Sequence, residues 1–112
     1  SVLGKVMEFV QSHFHRALSV AELAKVAGLS QRQLRRRFVK DFGMGLAEFI
    51  VKTRVQIGAD LLLRSSDTVS KIALDVGFCD QSAFTRAFRK QLGVPPGEYR
   101  RCYVTKDRAS AQ

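Results

Sequence analysis

The sequence predicts an all-α protein built from two helix–turn–helix lobes, homeodomain-like three-helix units joined by a long connecting helix, about seven helices in all. Two observations predict it. Apolar residues recur at three- and four-residue spacing along most of the chain, with no convincing strand pattern. One segment also occurs twice. GLSQRQLRRRFVKDFGMGLAEF (28–49) and GFCDQSAFTRAFRKQLGVPPGEYR (77–100) share a plan: Gly28 answers to Gly77, Leu34 to Phe84, Phe38 to Phe88, Gly43 to Gly93, Glu48 to Glu98 and Phe49 to Tyr99. The second copy holds one extra residue in its turn.

Each element has a local reason. Leu3, Val6, Val10 and Phe14 form the stripe of an amphipathic first helix ending near Arg16. Ser19 with Glu22 reads as a capping box, so a second helix starts near Val20 and stops before Gly28. Ser30 with Gln33 is another box, opening a third helix to about Phe42, which Gly43 ends.

A long pattern from about Leu46 to Leu63 follows, with Leu46, Phe49, Ile50, Ile57 and Leu61 on one stripe and Val51, Val55 and Leu62 on another. A helix apolar on two sides has something to pack on both. Ser65, Ser66 and Asp67 break it, and a fifth helix covers roughly 69–76. Asp80 caps a sixth helix that runs to Leu92 before Gly93, and Pro95 and Pro96 start a short final helix near Tyr99. The expected organisation is lobe one at about 1–44, a connecting helix at about 45–65, lobe two at about 66–103, and a disordered tail at 104–112.

Composition narrows the function. The chain has 112 residues and a formal net charge of +9, an excess that favours a polyanionic partner. No apolar run approaches the ~20 residues of a membrane span, and no signal-peptide pattern is present. A cytoplasmic protein, and a piece of a longer one, is the expectation. Cys79 and Cys102 lack a CxxC partner, so ordinary reduced thiols are expected. His13 and His15 point to different faces of the first helix and make a poor metal pair. Neither a cofactor nor a metal site is expected. There is no paired-carboxylate, nucleophile–base or phosphate-loop constellation, so catalysis is not expected either.

The exposed faces of the third and sixth helices carry the functional signal. An α-helix advances about 100° per residue. With Leu34 and Phe38 buried, Arg32 and Arg36 lie almost opposite, flanked by Gln33, Arg35 and Lys40, with Arg37 nearer the buried edge. Five basic residues and no acid lie between Gln31 and Lys40. Like charges three or four apart cost a few tenths of a kcal/mol per pair, a repulsion that an anion would relieve. With Phe84 and Phe88 buried, Ser82 and Arg86 lie opposite, flanked by Thr85, Arg89 and Lys90, with Gln81 at the exposed start. Such groups meet base edges as well as phosphates. The connecting helix, about 30 Å long, suits two recognition helices in major-groove segments one ~34 Å turn apart on double-stranded DNA.

The two copies, the TRVQIGADLL connector, IALDVGF, FTRAFRKQLG and VPPGEYR, in this order, resemble the DNA-binding domain of AraC/XylS-type transcriptional regulators. The resemblance covers about 19–101. It implies a bilobed all-α domain that activates or represses promoters in the bacterial cytoplasm, often beside a separate effector or dimerisation domain, with RNA polymerase as a further partner. Base-reading positions then fall on Arg32, Arg35 and Arg36 in the first copy and on Gln81, Ser82, Thr85 and Arg86 in the second. Gln33, Arg37, Lys40, Arg54, Arg89 and Lys90 become phosphate-contact candidates. Two positions depart from the family pattern: Lys71 stands where an acidic residue is frequent, and Gly45-Leu46 replaces a Ser-Pro-like pair. Two rival classes are an enzyme, such as a DNA-repair methyl acceptor, and an architectural module that binds DNA without sequence preference. The first lacks its four-cysteine cluster here.

Overall fold

The computed structural model describes the backbone of residues 2–111 and the side chains of 2–103. Its described residues form seven helices and no strand: α1 (Val2–His13), α2 (Val20–Ala27), α3 (Gln31–Phe42), α4 (Leu46–Arg64), α5 (Val69–Asp75), α6 (Gln81–Leu92) and α7 (Pro96–Ala111). They divide into two compact units, Ser1–Thr53 and Arg54–Gln112, with the division inside α4. The all-α, seven-helix expectation therefore holds among the described residues.

In the first unit, Leu3, Val6 and Val10 of α1 pack with Leu23, Ala24 and Ala27 of α2, Leu34 and Phe38 of α3, and Leu46 at the start of α4. Phe49 and Ile50 close on this cluster, the Phe49 ring 5.3 Å from that of Phe38. Two expectations change here. The first helix ends at His13 rather than near Arg16, so Phe14 lies beyond it; the Arg16 N–H turns back to the His13 carbonyl at 3.2 Å. The capping box at Ser19 is only half formed. The Ser19 hydroxyl accepts from the Glu22 N–H at 3.1 Å, but the Glu22 carboxylate is taken by Arg16, with contacts of 2.7 and 3.1 Å. A two-pronged charged partner outcompetes a single backbone N–H.

In the second unit, Val55, Ala59 and Leu62 of α4, Ile72, Ala73 and Val76, and Phe84 and Phe88 of α6 form the core. The Tyr99 ring lies 5.2 Å from Phe88, repeating the Phe38–Phe49 pair of the first unit. Arg100 ties α7 to the end of α4, donating from Nε to the Leu62 carbonyl at 2.9 Å and from a terminal nitrogen to the Ser65 carbonyl at 3.1 Å. These carbonyls have no intrahelical partner, and the guanidinium supplies one. Val51, expected on a buried stripe of α4, is instead 37% exposed. The final helix is drawn to Ala111 and is longer than the short one expected. The expected tail at 104–112 falls on residues whose side chains lie outside the described ones.

Both turns share one device. The Gly28 N–H donates to the Lys25 carbonyl and the Leu29 N–H to the Ala24 carbonyl; the Gly77 N–H donates to Leu74 and the Phe78 N–H to Ala73. This bond pair is a Schellman motif, which requires a left-handed residue between. Gly28 (φ 68°) and Gly77 (φ 106°) provide it.

Candidate nucleic-acid interface

Each turn delivers the chain to the start of a capped helix. At α3 the capping box is complete: the Gln33 N–H donates to Ser30 Oγ at 3.1 Å and the Ser30 N–H to Gln33 Oε1 at 3.0 Å. At α6 the Ala83 N–H donates to Asp80 Oδ1 at 2.8 Å. A fixed first turn matters because side chains there reach farthest towards a groove that accepts the helix by its N-terminal end.

The buried stripes are as the spacing predicts. Leu34, Phe38, Phe84 and Phe88 are fully buried. Arg32, Arg35, Arg36, Arg37 and Lys40 are all exposed. Gln81, Ser82, Arg86, Arg89 and Lys90 are exposed, and Thr85 is half-buried. Gln33 is exposed but commits its carbonyl oxygen to the cap, leaving its amide nitrogen as the free donor. Leu29 and Val39 join Arg35, Arg36, Arg37 and Lys40 along an open concavity of about 830 Å³ in the first unit.

Among the described residues, no arginine or lysine of α3 or α6 has a carboxylate partner. Three cations elsewhere are paired with acids. Arg16 meets Glu22 at 2.7 Å, Arg64 meets Asp60 at 2.8 Å, and Lys71 lies between Asp75 at 2.7 Å and Asp67 at 3.5 Å. Lys71, the departure in the fifth helix, thus pairs with acids on both sides, while Thr68 Oγ1 accepts from its N–H and caps α5. These partners raise the Lys71 ammonium above its usual pKa, the Asp75 hydrogen bond foremost.

Arg54 differs from the other phosphate-contact candidates. It is half-buried on α4, and burial pushes its guanidinium below the usual pKa while nearby Cys79 opposes the shift. Cys79 and Cys102 are exposed free thiols. His13 serves the first unit: its ring stacks on Phe9 at 4.1 Å, and its Nδ1 lies 2.9 Å from the Phe9 carbonyl.

One residue was missed by the helical-wheel reading. Gln31 is exposed at the first position of α3 and is the counterpart of Gln81 in α6. The repeat itself is the signal that finds it.

A helix-turn-helix domain model matches residues 23–102. The chain belongs to the AraC-type helix-turn-helix family. An uncharacterised HTH-type transcriptional regulator of Staphylococcus aureus (strain MSSA476) is 31% identical over 98% of this chain, which spans only 15% of that protein. A Streptomyces lividans protein described as an AraC-like transcription regulator is 37% identical over 77% of this chain and 28% of its own length. Among solved structures, the DNA-binding domain of AdpA in complex with a target DNA superposes with a TM-score of 0.87 at 32% identity, covering 93% of this chain and 94% of that one. An AraC-type regulator from Chromobacterium violaceum gives 0.85 at 25% identity, covering 88% of each. The family and the fold are those of transcription regulators. No helix among the described residues is long and apolar enough to cross a membrane.

Proposed function

We propose that this AraC-type domain binds double-stranded DNA with α3 and α6 as its two recognition helices, in successive major-groove segments of one site. The observation that carries the reading is the pair of exposed cationic faces on the second helix of each repeat, free of carboxylate partners. Arg32, Arg35 and Arg36 read bases in the first half-site; Gln81, Ser82, Thr85 and Arg86 read them in the second. Arg37, Lys40, Arg89 and Lys90 hold phosphates, as does the free amide of Gln33. Arg54, half-buried on α4 near Cys79, is the remaining phosphate candidate.

The domain carries no catalytic step in this reading. It acts in the bacterial cytoplasm, and its full-length protein adds an effector or dimerisation segment and contacts RNA polymerase. Its relatives' much greater length supports the additional segment.

Competition binding tests the specificity. A duplex selected from random DNA should be preferred over unrelated duplex by ~10³ or more at 0.15 M salt. Equal competition by both, with affinity following salt alone, would identify an architectural binder instead.

A further inference from the structure

We propose that the two half-sites share a guanine and an adenine at equivalent places and differ at the positions between, where the first unit demands guanine and the second does not. The proposal rests on the reading that α3 and α6 both enter the major groove.

The repeat aligns the two helices residue by residue. Gln31 matches Gln81, Arg36 matches Arg86 and Lys40 matches Lys90. Arg32 is replaced by Ser82, and Arg35 by Thr85. Apart from one extra residue in the second turn, the scaffold beneath is alike in both: a Schellman turn at glycine, a side-chain N-cap, two buried anchors four residues apart, and a glycine C-cap. The same side chain on the same turn of the same scaffold meets the same base edge. Arginine donates a bidentate pair to guanine O6 and N7, and glutamine pairs with adenine N6 and N7. Serine accepts several bases, and the threonine methyl favours the thymine methyl.

Arg32 and Arg35 are exposed and lack carboxylate partners among the described residues, so no ion pair must be broken before they donate. Arg32 and Arg36 are one turn apart, about 6 Å along the axis, or about two base steps of 3.4 Å. The first half-site therefore holds two or three guanines within about four base pairs. The second holds one, with a permissive or thymine-bearing step beside it. Positions 32/82 and 35/85 are the specificity-determining pair.

The 112-residue chain is used to select from a pool of 30-bp duplexes with a random centre. The wild type should return an asymmetric two-part motif with one guanine-rich half. Ser82→Arg/Thr85→Arg should return a motif with both halves guanine-rich. The reverse change, Arg32→Ser/Arg35→Thr, alters only exposed positions and should return two halves of the second kind. In the selected wild-type duplex, 7-deazaguanine lacks the N7 acceptor. Each such replacement in the guanine-rich half should weaken binding about tenfold or more, while inosine, which keeps O6 and N7, should not. An enriched motif with neither swap converting a half, or 7-deazaguanine without effect, overturns the proposal and leaves specific DNA binding intact. No enriched motif in any arm overturns the reading it rests on as well.

Discussion

The seating of α6 can be tested at Gly58, in the interior of α4. A methyl group built there would lie 2.7 Å from Phe84 Cε1 and 2.8 Å from its Cζ. Ordinary carbon–carbon contact begins near 3.5 Å, so the ring must withdraw by almost 1 Å. It has little room to do so: Phe84 is fully buried, with the Phe78 ring at 5.4 Å and the Phe88 ring at 5.5 Å. Overpacking of this kind costs about 1–3 kcal/mol. Alanine returns about 1 kcal/mol through helix propensity and a less flexible unfolded chain. Gly58→Ala should therefore lose about 0–2 kcal/mol and lower the Tm by up to several degrees. In an unobstructed helix the same change would raise the Tm. Phe84→Leu makes room for the new methyl, so Gly58→Ala/Phe84→Leu should lose at least 0.5 kcal/mol less than the two single losses combined. Urea titration and thermal melts measure all three variants. A stabilised Gly58→Ala protein, or strictly additive losses, would show that Phe84 does not rest on Gly58 in solution.

Phe38→Ala and Phe88→Ala should each destabilise by roughly 3–5 kcal/mol, because both rings are fully buried and packed against an aromatic ring of the following helix; chemical denaturation checks this. Arg100→Ala should cost about 1–3 kcal/mol, since it removes the donors for the Leu62 and Ser65 carbonyls, and Arg100→Lys should not restore both bonds. The Arg16 contact holds the Glu22 carboxyl below its usual pKa, the hydrogen bond foremost. Its contribution is full above the usual carboxylate value and is lost as pH falls through the lowered one. The stability gap between wild type and Glu22→Gln should thus be larger at pH 7 than at pH 3, as followed by melts across that range.

Much of this architecture was legible because its causes are local. Ser30, Gln33 and Asp80 announce helix starts by side-chain chemistry that completes within three residues. Gly28 and Gly77 announce turns by a backbone conformation few other residues tolerate. Leu34 with Phe38, and Phe84 with Phe88, fix the exposed face of each second helix by rotation alone. Where a distant partner decides, the sequence was silent or misleading. The Ser19 box reads as complete until Arg16 takes the Glu22 carboxylate. Phe14 continues the spacing of α1 after the helix has ended, since no capping signal marks the stop. Gly58 looks like an ordinary weak point of a helix, because its reason is a ring 26 positions further along the chain. The exposed faces of α3 and α6 were legible for the same reason as the caps. Gln31 stands out only against its counterpart Gln81, 50 positions away, and not on the wheel of α3 alone.

Hydroxyl-radical footprinting of the 112-residue chain on its selected duplex tests the central claim most directly. Two protected patches about one helical turn apart on one face are predicted. Arg36→Ala should weaken one patch and Arg86→Ala the other, each with a loss of about 1–3 kcal/mol in binding. A single short patch, or two patches indifferent to both substitutions, would contradict the account of α3 and α6 as paired readers of one site.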